Sequence, residues 1–167
     1  DELTGLPGRR ALNERLQRLG RNYVLAMSDV DHFKKFNDTY VHDVGDQVLR
    51  LVASKLSKVG GGGRAYRYGG EEFALVFAGK TLDECMPHLD ELRESIAIYN
   101  IQLRNQESRP QDDQQGRQRR AGTRASSVSV TVSIGVAERM PEQRTAEEVL
   151  KAADKALYSA KSAGRNC

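Results

Sequence analysis

Three acids stand where this chain is equipped for chemistry. Asp29 closes the apolar run YVLAMSD (residues 23–29), and Glu71 and Glu72 interrupt RYGGEEFALVF (67–77). Neighbouring carboxylates repel unless a cation lies among them, and magnesium suits such oxygen ligands alongside waters and substrate phosphates. If the two stretches are neighbours in one sheet, the three acids converge at a single edge. A plainer alternative has Asp29 capping the next turn and both glutamates solvated. Taken alone, these residues leave both readings open.

The segment DVDHFKKFNDTYVHDVGDQVL (29–49) follows the first stretch directly and holds Asp29, Asp31, His32, Lys34, Asn37, His42 and Asp46. Asn and Asp side chains can read a purine edge, because a carboxylate accepts from guanine's N1 and N2 donors. Lys34, just beyond the acids, is placed to meet phosphate charge. Turns are polar anyway, so density alone discriminates weakly. His42 by itself reads as a hydrogen-bonded structural histidine.

Secondary structure must bring these groups together. Leu12, Leu16 and Leu19 recur at helical spacing after Pro7, predicting a helix over 8–19. The run 23–29 reads as a strand buried on both faces. Val44, Val48, Leu51, Val52, Leu56 and Val59 form a helical stripe that GGGG (60–63) ends. RAYRY and EFALVF flank Gly69-Gly70, a hairpin signature in which glycines supply positive φ. Thr81 with Glu84, and Thr145 with Glu148, have capping-box spacing. The first would open a helix running to about residue 103, the second a helix stopping at Gly164. Val128, Val130, Val132, Ile134 and Val136 alternate as one strand. The resulting order contains a βαββαβ core, so the expected fold is α+β, an antiparallel-containing sheet with helices packed on it and a helix added at the C-terminus.

Composition narrows the function classes. The 167 residues, 38% hydrophobic and 29% charged, fit one globular domain. No apolar run approaches the roughly 20 residues that span a bilayer. Two cysteines, Cys85 and Cys167, do not make a disulfide framework and point to a reducing, cytosolic setting. Residues 104–127 carry six arginines against Glu107, Asp112 and Asp113, which accounts for the whole net charge of +3. The rest of the chain is balanced, so a basic nucleic-acid-binding face is not indicated. The only apolar residues in 104–127 are Ala121 and Ala125, too few to offset ordering entropy, and the segment reads as a flexible insertion.

RYGGEEF (67–73), DVDHFKKFND (29–38) and Gly45-Asp46, with DELTGLPGRR at the start and DKALYSAKSAGRN at the end, resemble the GGDEF family of diguanylate cyclases. The likeness spans the chain apart from the insertion. It implies condensation of two GTP into cyclic di-(3′→5′)-GMP on a fold like the palm of class III nucleotide cyclases and polymerases. By resemblance, Asp29 and Glu71 hold magnesium (or manganese), two ions per site, with the Val30 carbonyl assisting. Glu71 is the family's candidate for accepting the 3′-hydroxyl proton, and Glu72 assists the second ion. Asn37 and Asp46 match guanine-binding positions and His42 lines the same pocket. Aspartate at 46, where ATP-accepting members carry serine, implies GTP preference. Lys34, amides near His32 and Phe33, and Lys161 with Arg165 match phosphate contacts. For the last two, cations favoured by a helix C-terminus are the competing reading. Each subunit in the family binds one GTP, so a homodimer is implied.

The chain departs from that pattern in three places. Gly60 and Gly63 stand where many relatives have the Arg and Asp of a product-inhibition site, so feedback through that site is not expected. Val41 replaces a usual glycine and Gly8 a usual asparagine, and the insertion is long. The opening at the family's first motif reads as a fragment, with an upstream sensor or inner-membrane anchor removed and this domain in the cytosol. Two other functions compete: a non-catalytic module binding GTP or cyclic di-GMP, and a dimerisation or nucleic-acid module using the arginine-rich segment.

Overall fold

The computed structural model describes residues 1–40, 42–102, 127–143 and 145–167. A short helix α1 (Arg9–Arg18) buries Leu12 and Leu16, and β1 (Tyr23–Val30) is buried along its whole length. Next come α2 (Phe33–Thr39), α3 (His42–Ser57), β2 (Arg64–Arg67) and β3 (Glu72–Ala78). Helix α4 (Leu82–Ala97) begins with the expected Thr81–Glu84 capping box. Strands β4 (Ile101–Gln102), β5 (Ser127–Val128) and β6 (Val132–Glu138) follow, then α5 (Ala146–Ser162), whose cap Thr145 accepts from the Glu148 amide.

The main sheet has order β2-β3-β1-β6 and is antiparallel at every pair. Strand periodicity sorts its side chains onto two faces. Val24, Ala26, Val30, Phe73, Leu75, Phe77, Val132 and Ile134 pack with α3 and α4. Leu25, Met27, Ala74, Val76 and Ala137 pack with α1 and α5. Asp29 and Glu72 fall on the second parity, directly opposite each other in the β1–β3 register. Helix α5 approaches this face most closely at Gly135, where a Cβ would lie 2.0 Å from the Leu157 amide nitrogen and 2.3 Å from the Ala153 carbonyl.

The α+β core is as the sequence indicates, with five local differences. The helix expected to reach residue 103 ends at Ala97, with Ile98 as its cap. The strand expected over 128–136 is two strands: β5 pairs with β4 in a separate two-stranded ladder and β6 joins the main sheet. Helix α2 occupies a segment read only as polar. The stripe assigned to α3 runs beyond its end, since Val59 lies in the turn after Ser57. Ser127, placed at the edge of the insertion, belongs to β5. The remainder of that insertion and Val41 lie outside the described residues.

Candidate active site

The register that sets Asp29 opposite Glu72 also places Glu71 beside the end of β1, where the Val30 amide donates to the Glu71 carbonyl at 3.3 Å. Two carboxyl side chains meet there, with Glu71 hydrogen-bonded to Asp29. Burial first, then that hydrogen bond and the Asp29 charge, push the Glu71 carboxyl up to about 7, against a smaller opposing pull from Lys161. Glu72 is raised by burial, then by Asp29 and Asp154, while Lys161 and Arg9 pull it down.

Lys161, in the last turn of α5, donates to Asp29 Oδ2. The other oxygen, Asp29 Oδ1, is buried and has no hydrogen-bond partner. A buried carboxylate oxygen left unpaired is costly, so this atom marks an unmet demand for a donor or a cation. Among the described residues, no group of three or more His, Cys, Asp or Glu side chains has metal-holding spacing.

The turn between β2 and β3 is built differently from the expectation. Neither Gly69 nor Gly70 has positive φ. The Tyr68 and Gly69 amides both donate to the Glu72 carbonyl, at 2.9 and 3.1 Å, closing a wider loop. Arg67 holds it from the side: its guanidinium donates to the Gly69 carbonyl at 3.2 Å and the Gly70 carbonyl at 2.8 Å. Its third nitrogen, Nη1, donates to both carboxylate oxygens of Asp1, at 3.0 and 2.9 Å. A planar fork fixes orientation in a way a point charge does not. Arg67 and Asp1 are positioning residues the sequence reading missed.

The remaining expected residues lie along α2, α3 and the end of α5. His32 is exposed, adopts a left-handed conformation (φ 56°) and begins α2 with no side-chain cap. Phe33 is buried and Lys34 exposed on the first turn. Half-buried Asn37 faces α3 at Gly45, where a Cβ would sit 2.0 Å from its Oδ1. That oxygen, too, has no partner. Asp46 follows directly and is half-buried, so Asn37 and Asp46 share the α2–α3 junction. His42 opens α3, and its side chain lies outside the described residues.

Arg165 is exposed and left-handed (φ 66°) in the turn after α5. Buried Asp31, singled out above only as one of several polar groups, anchors that turn. It accepts from Thr131 Oγ1 at 2.6 Å, Ser133 Oγ at 2.7 Å and the Asn166 amide at 3.0 Å. The structure therefore brings Asp29, Glu71, Glu72 and Lys161 to one sheet end, and Asn37 and Asp46 to an adjoining helix junction.

Fold and site together define an α+β domain whose central strands end in carboxylates facing a cation from the C-terminal helix. The family model for "Diguanylate cyclase, GGDEF domain" matches residues 1–115 and 110–167, and the chain belongs to that family. Diguanylate cyclase VdcA of Vibrio cholerae is 38% identical over 170 residues, 99% of this chain and 45% of that protein. Response regulator PleD of Caulobacter vibrioides is 34% identical over 174 residues, covering 99% of this chain and 34% of its own length. The chain thus spans under half of each. The crystal structure of the GGDEF domain of DgcB from Caulobacter crescentus, in complex with c-di-GMP, superposes with a TM-score of 0.83 at 35% identity, covering 99% of this chain and 89% of that one.

Proposed function

We propose that this chain condenses two GTP into cyclic di-(3′→5′)-GMP and two pyrophosphates, each nucleotide held by one protomer of a homodimer. The observation that carries this reading is the meeting of Asp29 and Glu71, from distant parts of the chain, at one sheet end. Hard carboxylate donors, an orphaned Asp29 Oδ1 and a Glu71 raised by burial and by Asp29 fit a site built for divalent cations. Asp29, Glu71 and the Val30 carbonyl would hold magnesium or manganese, with Glu72 beside the second ion. Bound there, such ions supply charge that stabilises the attacking and leaving oxygens.

The protein's own residues do the rest. In the metal-free fold the Glu71 carboxyl is raised to about 7, and Glu71 is the group assigned to receive the 3′-hydroxyl proton. Asn37 and Asp46 read the guanine edge, with His42 in the same pocket. Lys34, the amides around His32 and Phe33, Lys161 and Arg165 meet the phosphates. Arg67 fixes the turn that aims Glu71 and Glu72. Among the described residues no helix is long and apolar enough to cross a membrane.

The test is incubation of the concentrated chain with magnesium and GTP, with products resolved by ion-exchange chromatography and mass spectrometry. Cyclic di-GMP should accumulate, and Glu71→Ala should lower the rate by about a hundredfold or more, the usual cost of losing a positioned acid–base group. Tight GTP or cyclic di-GMP binding with no product at any protein concentration would leave the non-catalytic binding module as the better reading.

A further inference from the structure

The ammonium of Lys161 lies against the carboxyl of Asp29. It reaches Asp29 Oδ2 from the last turn of α5, on a side chain 30% exposed, while the Asp29 side chain is 8% exposed. Around this pair lie Glu71, whose carboxyl interacts with that of Asp29, and Glu72, opposite Asp29 in the register. Lys161 thus satisfies one oxygen of Asp29, leaving Oδ1 unpaired, and acts on both glutamates, with Arg9 also acting on Glu72. A compact ammonium on a flexible four-carbon stem can leave without disturbing the backbone. A divalent ion taking Asp29 as ligand would meet Lys161 at close range, and like charges in a half-buried site repel strongly.

We propose that Lys161 occupies the cation position of the nucleotide-free site and must be displaced from Asp29 when a divalent ion binds. Lys161 is then a competitor of free metal, and it gains a new partner when a polyanion enters with the ion. The site discriminates against bare metal and favours metal and anion arriving together. Only the identity of that anion, a nucleotide triphosphate tail, rests on the cyclase reading. The coupling is reciprocal: the Lys161–Asp29 pair weakens metal binding by the same factor as bound metal weakens the pair.

Manganese titration of the nucleotide-free full chain, with free Mn²⁺ read by electron paramagnetic resonance, tests this without turnover. Lys161→Met keeps the stem and removes the charge, and should tighten Mn²⁺ binding about tenfold, within the usual range of such couplings. Lys161→Arg, which retains the charge, should stay within about threefold of the unsubstituted protein. The Met variant should also bind a non-reactive GTP analogue more weakly in EDTA, a change of opposite sign from one substitution. Unchanged or weaker Mn²⁺ affinity in Lys161→Met overturns the proposal. If that variant does not fold, amine acylation of the unsubstituted chain decides: Lys161 labelling, followed by peptide mass spectrometry, should rise on adding Mg²⁺, and constant labelling overturns it. A chain that shows this exchange but forms no cyclic di-GMP defeats the cyclase reading alone.

Discussion

Asp29 and Glu71 interact across the sheet end, and that interaction has a pH signature. Glu71 ordinarily titrates at 4.5 and is raised to about 7 in the fold. A carboxyl raised in this way favours folding while protonated, so its contribution is complete below about 4.5 and is lost as pH rises through about 7. Metal competes with that proton. The rise in melting temperature on adding millimolar Mg²⁺ should therefore be larger at pH 8 than at pH 6, by scanning calorimetry on the nucleotide-free chain. Equal shifts at the two pH values would mean that Glu71 does not face the ion. Asp29, Glu71 and Glu72 were legible in the sequence because each interrupts an apolar strand run. Arg67 and Asp31 were not, because Arg67 acts on backbone carbonyls that carry no sequence signal and on Asp1, 66 residues away, and Asp31 on partners about a hundred residues away.

Elements with one strong period were readable, and those whose signal was interrupted or shared were not. The buried runs of β1 and β3 and the capped starts of α4 and α5 stand as expected. The alternation over 128–136 conceals a break, because Val130 and Val132 both enter the core on either side of it. At that point the Asp31 amide donates to the Thr131 carbonyl at 2.9 Å, and the Asp31 carboxylate takes the Thr131 hydroxyl, so Thr131 is drawn to the strand end rather than into a continuous ladder. Helix α2 did leave a trace, since Phe33, Phe36 and Tyr40 recur at helical spacing and the last two rings lie 4.7 Å apart. Its seven residues are simply dominated by polar groups. Gly135, unremarked in the alternation, governs where α5 sits. Gly135→Ala would press a methyl on the Leu157 and Ala153 backbone, which cannot rotate away as a side chain can. The expected cost is about 2 kcal/mol, a melting-temperature fall of roughly 4–8 °C, with Lys161 displaced along with its helix. A fall of less than about one degree would mean that α5 has slack at this crossing.

One chain presents one acid-bearing sheet end and one Asn37–Asp46 junction among the described residues, which on the proposed reading serve one nucleotide. The proposed reaction joins two. If each nucleotide is held by its own protomer, the catalyst is the dimer, and its population follows mass action. Well below the dissociation constant, dimer concentration rises as the square of total chain, so product formed per chain should rise in proportion to chain concentration. Well above it, the rate per chain should level off. The measurement is initial rate of cyclic di-GMP formation across about a hundredfold range of protein, with sedimentation velocity over the same range to locate the monomer–dimer midpoint. The two midpoints should coincide. A rate per chain that is constant across a range in which the protein is demonstrably monomeric would require both nucleotides to bind one chain, and the proposal of one GTP per protomer would fall.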